Sequence, residues 1–241
     1  MYLVLSLLLF STGMLMAQPS GNFEKDLAEV EQYYIPALFL TGHGPKEKAP
    51  EAVSRFKQVW QAFTEKHAAE LRNEPWASAV KKIDAHINAA VQKVAEGKTG
   101  PAHRELEPIR NILAEVRQQA GNATLMDALT VFHDHMEVIV KTLRRKKPDA
   151  LAEEDIHKLT DHAKKAADAW KRVQIGDAEK ALYGLSAEAV QYLQEAIAQQ
   201  QQTIQNLLNA LNEKNKAEIS RHGLALRSGF ITIFRNLGKF E

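Results

Sequence analysis

The 241-residue chain contains no cysteine. That absence excludes disulfides, thiolate nucleophiles, cysteine-ligated metals and covalent c-type haem attachment through C-x-x-C-H. It also excludes lipid attachment through a leader cysteine. Glycine (12 residues) and proline (8) are sparse, and no Gly-rich loop joins a strand pattern to a helix, so flavin and nucleotide folds leave no signature. Neither a G-x-S-x-G elbow nor an H-E-x-x-H pair occurs, so hydrolytic catalysis has no motif to rest on. An excess of one charge is missing too: 31 Lys and Arg stand against 30 Asp and Glu. With a net charge near zero, no overall field steers the protein to nucleic acid or to an anionic membrane.

What is present is ordinary for a soluble globular protein. Apolar residues make up 45% and charged residues 25%, too polar for a multispanning membrane protein and too apolar for a disordered one. Residues 1–17, MYLVLSLLLFSTGMLMA, read as a signal peptide ending at Ala17. Ser11, Thr12 and Gly13 interrupt the apolar run, which falls short of the ~20 residues a membrane span needs. Lys or Arg before the apolar core, the usual start of such a leader, is absent. The expected location is periplasmic or secreted, with no membrane span in the mature chain.

Beyond the leader, apolar residues recur three and four apart, the period of an amphipathic helix. The expected class is all-α, with helices at Phe23–Leu40, Ala49–Arg72, Pro75–Ala95, Pro101–Gln119, Leu125–Arg145, Glu153–Val173, Ala187–Glu213 and Lys214–Leu237. Breaks at Gly42-His43-Gly44-Pro45, Gly97–Pro101, Gly121-Asn122 and Lys147-Pro148-Asp149 are helix stops and starts. Thr124 with Asp127 forms a capping-box pattern ahead of the fifth helix.

The first four helices share their apolar register with the second four. Trp60 matches Trp170; Val80, Ile83, Ile87 and Val94 match Val190, Leu193, Ile197 and Ile204. Leu27, Val30, Tyr34, Ala37 and Leu38 align with Leu129, Phe132, Met136, Ile139 and Val140, and Ile109, Arg110, Leu113 and Val116 with Leu226, Arg227, Phe230 and Ile233. The expectation is a tandem duplicated four-helix bundle, an internal repeat of residues 22–121 and 122–241. A continuous helical array is the alternative.

One constellation suggests chemistry. His103 and Glu107 in the fourth helix, and His133 and Glu137 in the fifth, are each four residues apart and so share a face. The Gly121 break makes these helices an antiparallel hairpin, and a wheel at ~100° per residue puts both pairs on like flanks of their apolar stripes. Two imidazoles and two carboxylates converging there would suit a transition metal such as zinc, iron, manganese or copper. Against this, the repeat aligns His103 with Ser220, Glu107 with Leu224, His133 with Glu31 and Glu137 with Ile35, so the second copy lacks the set. Pro108 either kinks the fourth helix or marks its true start. Arg110 and Arg117 share the flank of His103, where they oppose a cation and favour pairing with a carboxylate such as Glu107. His135 projects toward the other flank, into solvent or toward another helix.

The functional expectation is an exported, non-enzymatic binding or accessory protein holding a metal between the fourth and fifth helices. Alternatives are a cofactor-free interaction module, with an envelope protein or a second copy as partner, and a non-covalent haem bundle using Met136 with His103 and His133. Tyr33, Tyr34, Pro36, Phe39 and His43 cluster at the end of the first helix, lining a pocket or capping the core. The apolar segment 230–234 is expected to be buried.

Overall fold

The computed structural model describes residues 21–240; the leader expected at residues 1–17 lies outside them. The described residues are helical, with no strand among them. The α-helices are α1 (Gly21–Gly42), α2 (Ala49–Lys66), α3 (Trp76–Ala95), α4 (Thr99–Ala120), α5 (Leu125–Arg145), α6 (Glu153–Trp170), α7 (Asp177–Tyr183), α8 (Ala187–Asn212) and α9 (Lys216–Asn236). No helix among the described residues is long and apolar enough to cross a membrane.

Seven of the eight expected helices match within a few residues. The second is shorter: α2 ends at Lys66, and residues 70–72 form a separate 3-10 turn. α7 was not foreseen. It is a seven-residue helix between Gly176 and a left-handed Gly184, with Glu179 accepting the Gly176 N–H at 3.0 Å, too short to display a helical period. α4 runs through Pro108 from Thr99, so His103 is helical and is not in an entrance loop. Pro108 offers no N–H to the carbonyl four residues back. Just before it, the Tyr34 hydroxyl of α1 donates to the Leu106 carbonyl at 3.0 Å and ties the interrupted stretch to its neighbour.

The helices close into two rings. α1 packs on α2, α2 on α3, α3 on α4 and α4 back on α1; α5 packs on α6, α6 on α8, α8 on α9 and α9 back on α5. Each ring buries the stripe its sequence prescribes. Tyr34, Phe56, Trp60, Ile83 and Ile109 fill the first, and Phe132, Trp170, Leu193, Leu226 and Ile233 the second. The Phe132 and Trp170 rings meet at 4.6 Å between centroids. Burying one such side chain contributes roughly 1.5–3 kcal/mol, so these stripes dominate the stability of both rings. α9 lies close on α5 because Gly223 has no side chain where Leu143 and Ile139 press against it.

A seam joins the rings, with α4 against α5, and α1 against α7 and α9. At one end Arg117 of α4 sits buried among carboxylates from two other helices. Its Nη1 lies 2.7 Å from Glu31 Oε1 of α1, and its Nε donates to Asp127 of α5 at 3.0 and 3.1 Å. Tyr183 of α7 donates its hydroxyl to Glu31 at 3.3 Å, while Gln32 donates to the Tyr183 carbonyl at 2.8 Å. Asp127 also takes the Thr124 N–H at 2.7 Å, as the capping pattern implied. At the other end of the seam the helices leave a cavity.

Candidate functional site

The cavity measures about 260 Å³, is partly open to solvent and is lined by the end of α1, the first half of α4, the middle of α5 and α9. All four residues singled out in the sequence, His103, Glu107, His133 and Glu137, line it. The hairpin at Gly121 and the shared flank therefore place them around one space. Leu38, Phe39 and His43 of the α1 end and Arg227, Phe230, Ile231 and Phe234 of α9 complete much of the wall. These seven are far away in sequence from the α4–α5 hairpin, and no local period connects them to it. The available signals were the apolar stripe at Phe230 and Phe234 and the cluster at the end of the first helix that includes Phe39 and His43.

The expected metal set does not form a chelate. Among the described residues no group of three or more His, Asp or Glu side chains is arranged to hold a metal ion. The polar atoms are engaged otherwise. His103 donates from Nδ1 to the Leu38 carbonyl at 2.9 Å, and its Nε2 stands 3.5 Å from Glu107 Oε1. Glu107 also faces Arg110 Nη2 at 3.4 Å, and Glu137 pairs with Lys141 at 3.2 Å. Arg110, Lys141 and Arg227 all line the same cavity, and their fixed positive charges oppose a cation.

Gly42 makes the His103 position possible: a Cβ there would come within 2.6 Å of the His103 ring. Next to it His43 meets Arg227 through Nε2, with its ring 5.8 Å from that of His103. Burial, then Arg227 and His103, lowers the His43 pKa.

Two polar side chains here are buried without adequate partners. Arg110 has only 7% of its side chain exposed, one long contact to Glu107, and an Nε with no acceptor. A guanidinium carries five donors, and leaving even one unmatched in the interior is costly. His133 is 9% exposed, its ring lies 5.1 Å from Phe230, and its Nδ1 stands 3.6 Å from Asp134 with no hydrogen bond. Desolvation lowers the His133 pKa, which favours neutral imidazole. Glu107 is held at about 2, chiefly by the His103 contact, against desolvation and aided by His103, Arg110 and His133 charge. The local potential is positive.

A second, wider cleft of about 630 Å³ is lined by Tyr33, Pro36 and Phe39 with Lys48, Arg55, Arg235, Lys239 and Phe240. Its cations lie over rings: Arg235 is 4.4 Å from the Phe39 centroid, and Lys239 is 5.3 Å from that of Tyr33. The aromatic cluster at the end of α1 thus splits, Tyr34 going to the core and Phe39 to the wall between cleft and cavity. His135 faces His162 of α6, Nδ1 to Nδ1 at 3.2 Å, away from the cavity.

No protein-family model matches the chain, and no match was found among curated proteins or solved structures.

Proposed function

We propose that this is an exported, non-enzymatic binding protein, a duplicated four-helix bundle that holds a small ligand in the cavity at the seam. Export rests on the apolar leader at residues 1–17. Duplication is supported by the matched registers, since Leu27 and Leu129, Val30 and Phe132, Trp60 and Trp170, and Leu113 and Phe230 are all buried. On this reading residues 22–121 and 122–241 are the two units.

The single observation that carries the binding role is Arg110, a buried guanidinium with one long contact to Glu107 and an Nε without an acceptor, beside a cavity with an apolar wall. A concave, mostly apolar site with a few convergent polar groups is the usual form of a ligand pocket. Arg110, Lys141 and Arg227 favour a small ligand over a metal ion.

The test is a thermal-shift screen of small molecules on the mature protein and on Ile231→Trp, which fills the cavity from its half-buried α9 wall. Compounds that raise the melting temperature of the first and leave the second unmoved support the reading. Equal shifts in both proteins would place binding elsewhere and overturn it.

A further inference from the structure

We infer that the cavity takes a small amphiphilic monocarboxylate, its carboxylate held by Arg110 and Arg227 and its apolar body lying on Met136, Phe230 and Phe234. This rests on reading the cavity as a ligand site and adds the ligand's chemistry.

Charge comes first. Three fixed cations, Arg110, Lys141 and Arg227, line the space against two carboxylates, Glu107 and Glu137. Lys141 is matched by Glu137 at 3.2 Å, and Glu107 is divided between His103 at 3.5 Å and Arg110 at 3.4 Å. Arg227 faces His43, and no carboxylate pairs with it among the described residues. One positive charge is therefore left over, spread across two guanidinium groups. Guanidinium groups bind a carboxylate through paired, charge-assisted hydrogen bonds, and Arg110 has donors to give. A monoanion balances the site, whereas a dianion would meet uncompensated repulsion from Glu107 and Glu137.

The apolar half follows from the wall. Met136, Phe230 and Phe234 are buried core residues that also border the cavity, and Phe39 and Ile231 extend the same surface. A bare inorganic anion would leave that surface without a partner, and an uncharged hydrocarbon would leave the Arg110 Nε without an acceptor.

Calorimetric titration with four eight-carbon probes tests this: octanoate, octanol, octylamine and octyl phosphate, each on the wild type and on Arg227→Gln. Arg227 is half-buried, so the variant should keep its fold, which circular dichroism checks. Octanoate should bind at least about tenfold more tightly than octanol, as a charge-assisted pair implies, and octylamine should not bind. Arg227→Gln should remove about tenfold of octanoate affinity and leave octanol unchanged. Octanol or octylamine binding as well as octanoate, or octyl phosphate binding better, would overturn the carboxylate while leaving the cavity as a ligand site. Octanoate binding unaffected by Arg227→Gln would also overturn it. If none of the four binds, the carboxylate proposal fails; the wider screen with Ile231→Trp then decides the cavity reading on its own.

Discussion

Arg117 and Asp127 stand ten residues apart on either side of the Gly121 turn, and the guanidinium Nε of one meets both carboxylate oxygens of the other, at 3.0 and 3.1 Å. Glu31 closes the set at 2.7 Å from Nη1. Desolvation raises the Glu31 pKa despite the Arg117 charge. Truncating Arg117 to Met should cost about 3–5 kcal/mol, because it strands two buried carboxylates. Adding Glu31→Met to that variant should recover part of the loss, since one stranded charge goes with it. Urea denaturation of both variants measures this; strictly additive losses would contradict a coupled cluster.

Glu107 gives a pH signature. Its carboxyl, ordinarily near 4.5, is held at about 2 in the folded protein by His103, with Arg110 and His133 adding to the effect. The stabilisation is therefore present above pH 4.5 and is lost as the pH falls through about 2. In Glu107→Gln the melting temperature should lie below that of the wild type at neutral pH, and the difference should shrink across that window. A constant difference down to pH 2 would show that the carboxylate contributes no charge-dependent stability.

His133 acts in a higher window. Facing it are Arg110 of α4, Asp134 and Glu137 of α5 and Phe230 of α9, and burial outweighs the two carboxylates in lowering its pKa below 6.5. The unfolded chain then takes up a proton at a pH where the folded one does not. Stability contributed by neutral His133 is present above pH 6.5 and falls as the pH drops toward its folded value. His133→Asn should flatten the slope of stability against pH just below 6.5, leaving the parts due to His43, His135 and His162, whose pKa values are also lowered. Chemical denaturation at closely spaced pH values reads this slope, and an unchanged slope would refute the assignment.

Gly223 and Gly100 should respond in opposite directions. A Cβ on Gly223 would run into Leu143 and come within 3.2 Å of Ile139, whereas one on Gly100 meets nothing within 4 Å. Gly223→Val should destabilise by about 1–3 kcal/mol through overpacking between α9 and α5. Gly100→Ala should stabilise by roughly 0.5 kcal/mol through the unfolded chain and helix propensity. Midpoints in urea distinguish the two, and the same sign for both would undercut the close approach of α9.

Helix positions were legible because each apolar stripe is local: Leu129, Phe132, Met136, Ile139 and Val140 state their face within a dozen residues. The hairpin geometry brought His103, Glu107, His133 and Glu137 to one space for the same reason, since a short turn fixes both level and flank. The rest of its wall was less legible. Its character depends on Arg227 and Phe230 from α9 and on Leu38, Phe39 and His43 at the end of α1, and long-range packing leaves no period in the sequence. Arg110 and Arg117 were readable as carboxylate partners; that Arg117 would choose Glu31 and Asp127, leaving Arg110 with one long contact to Glu107, depends on the seam.

The cavity draws its wall from two helices of each ring, α1 and α4 with α5 and α9. A lone four-helix unit has no such seam and so no such space. Each ring closes its own core, and the space exists only where the two rings meet. Neither half would retain the site if the two were parted, because each supplies only part of its wall.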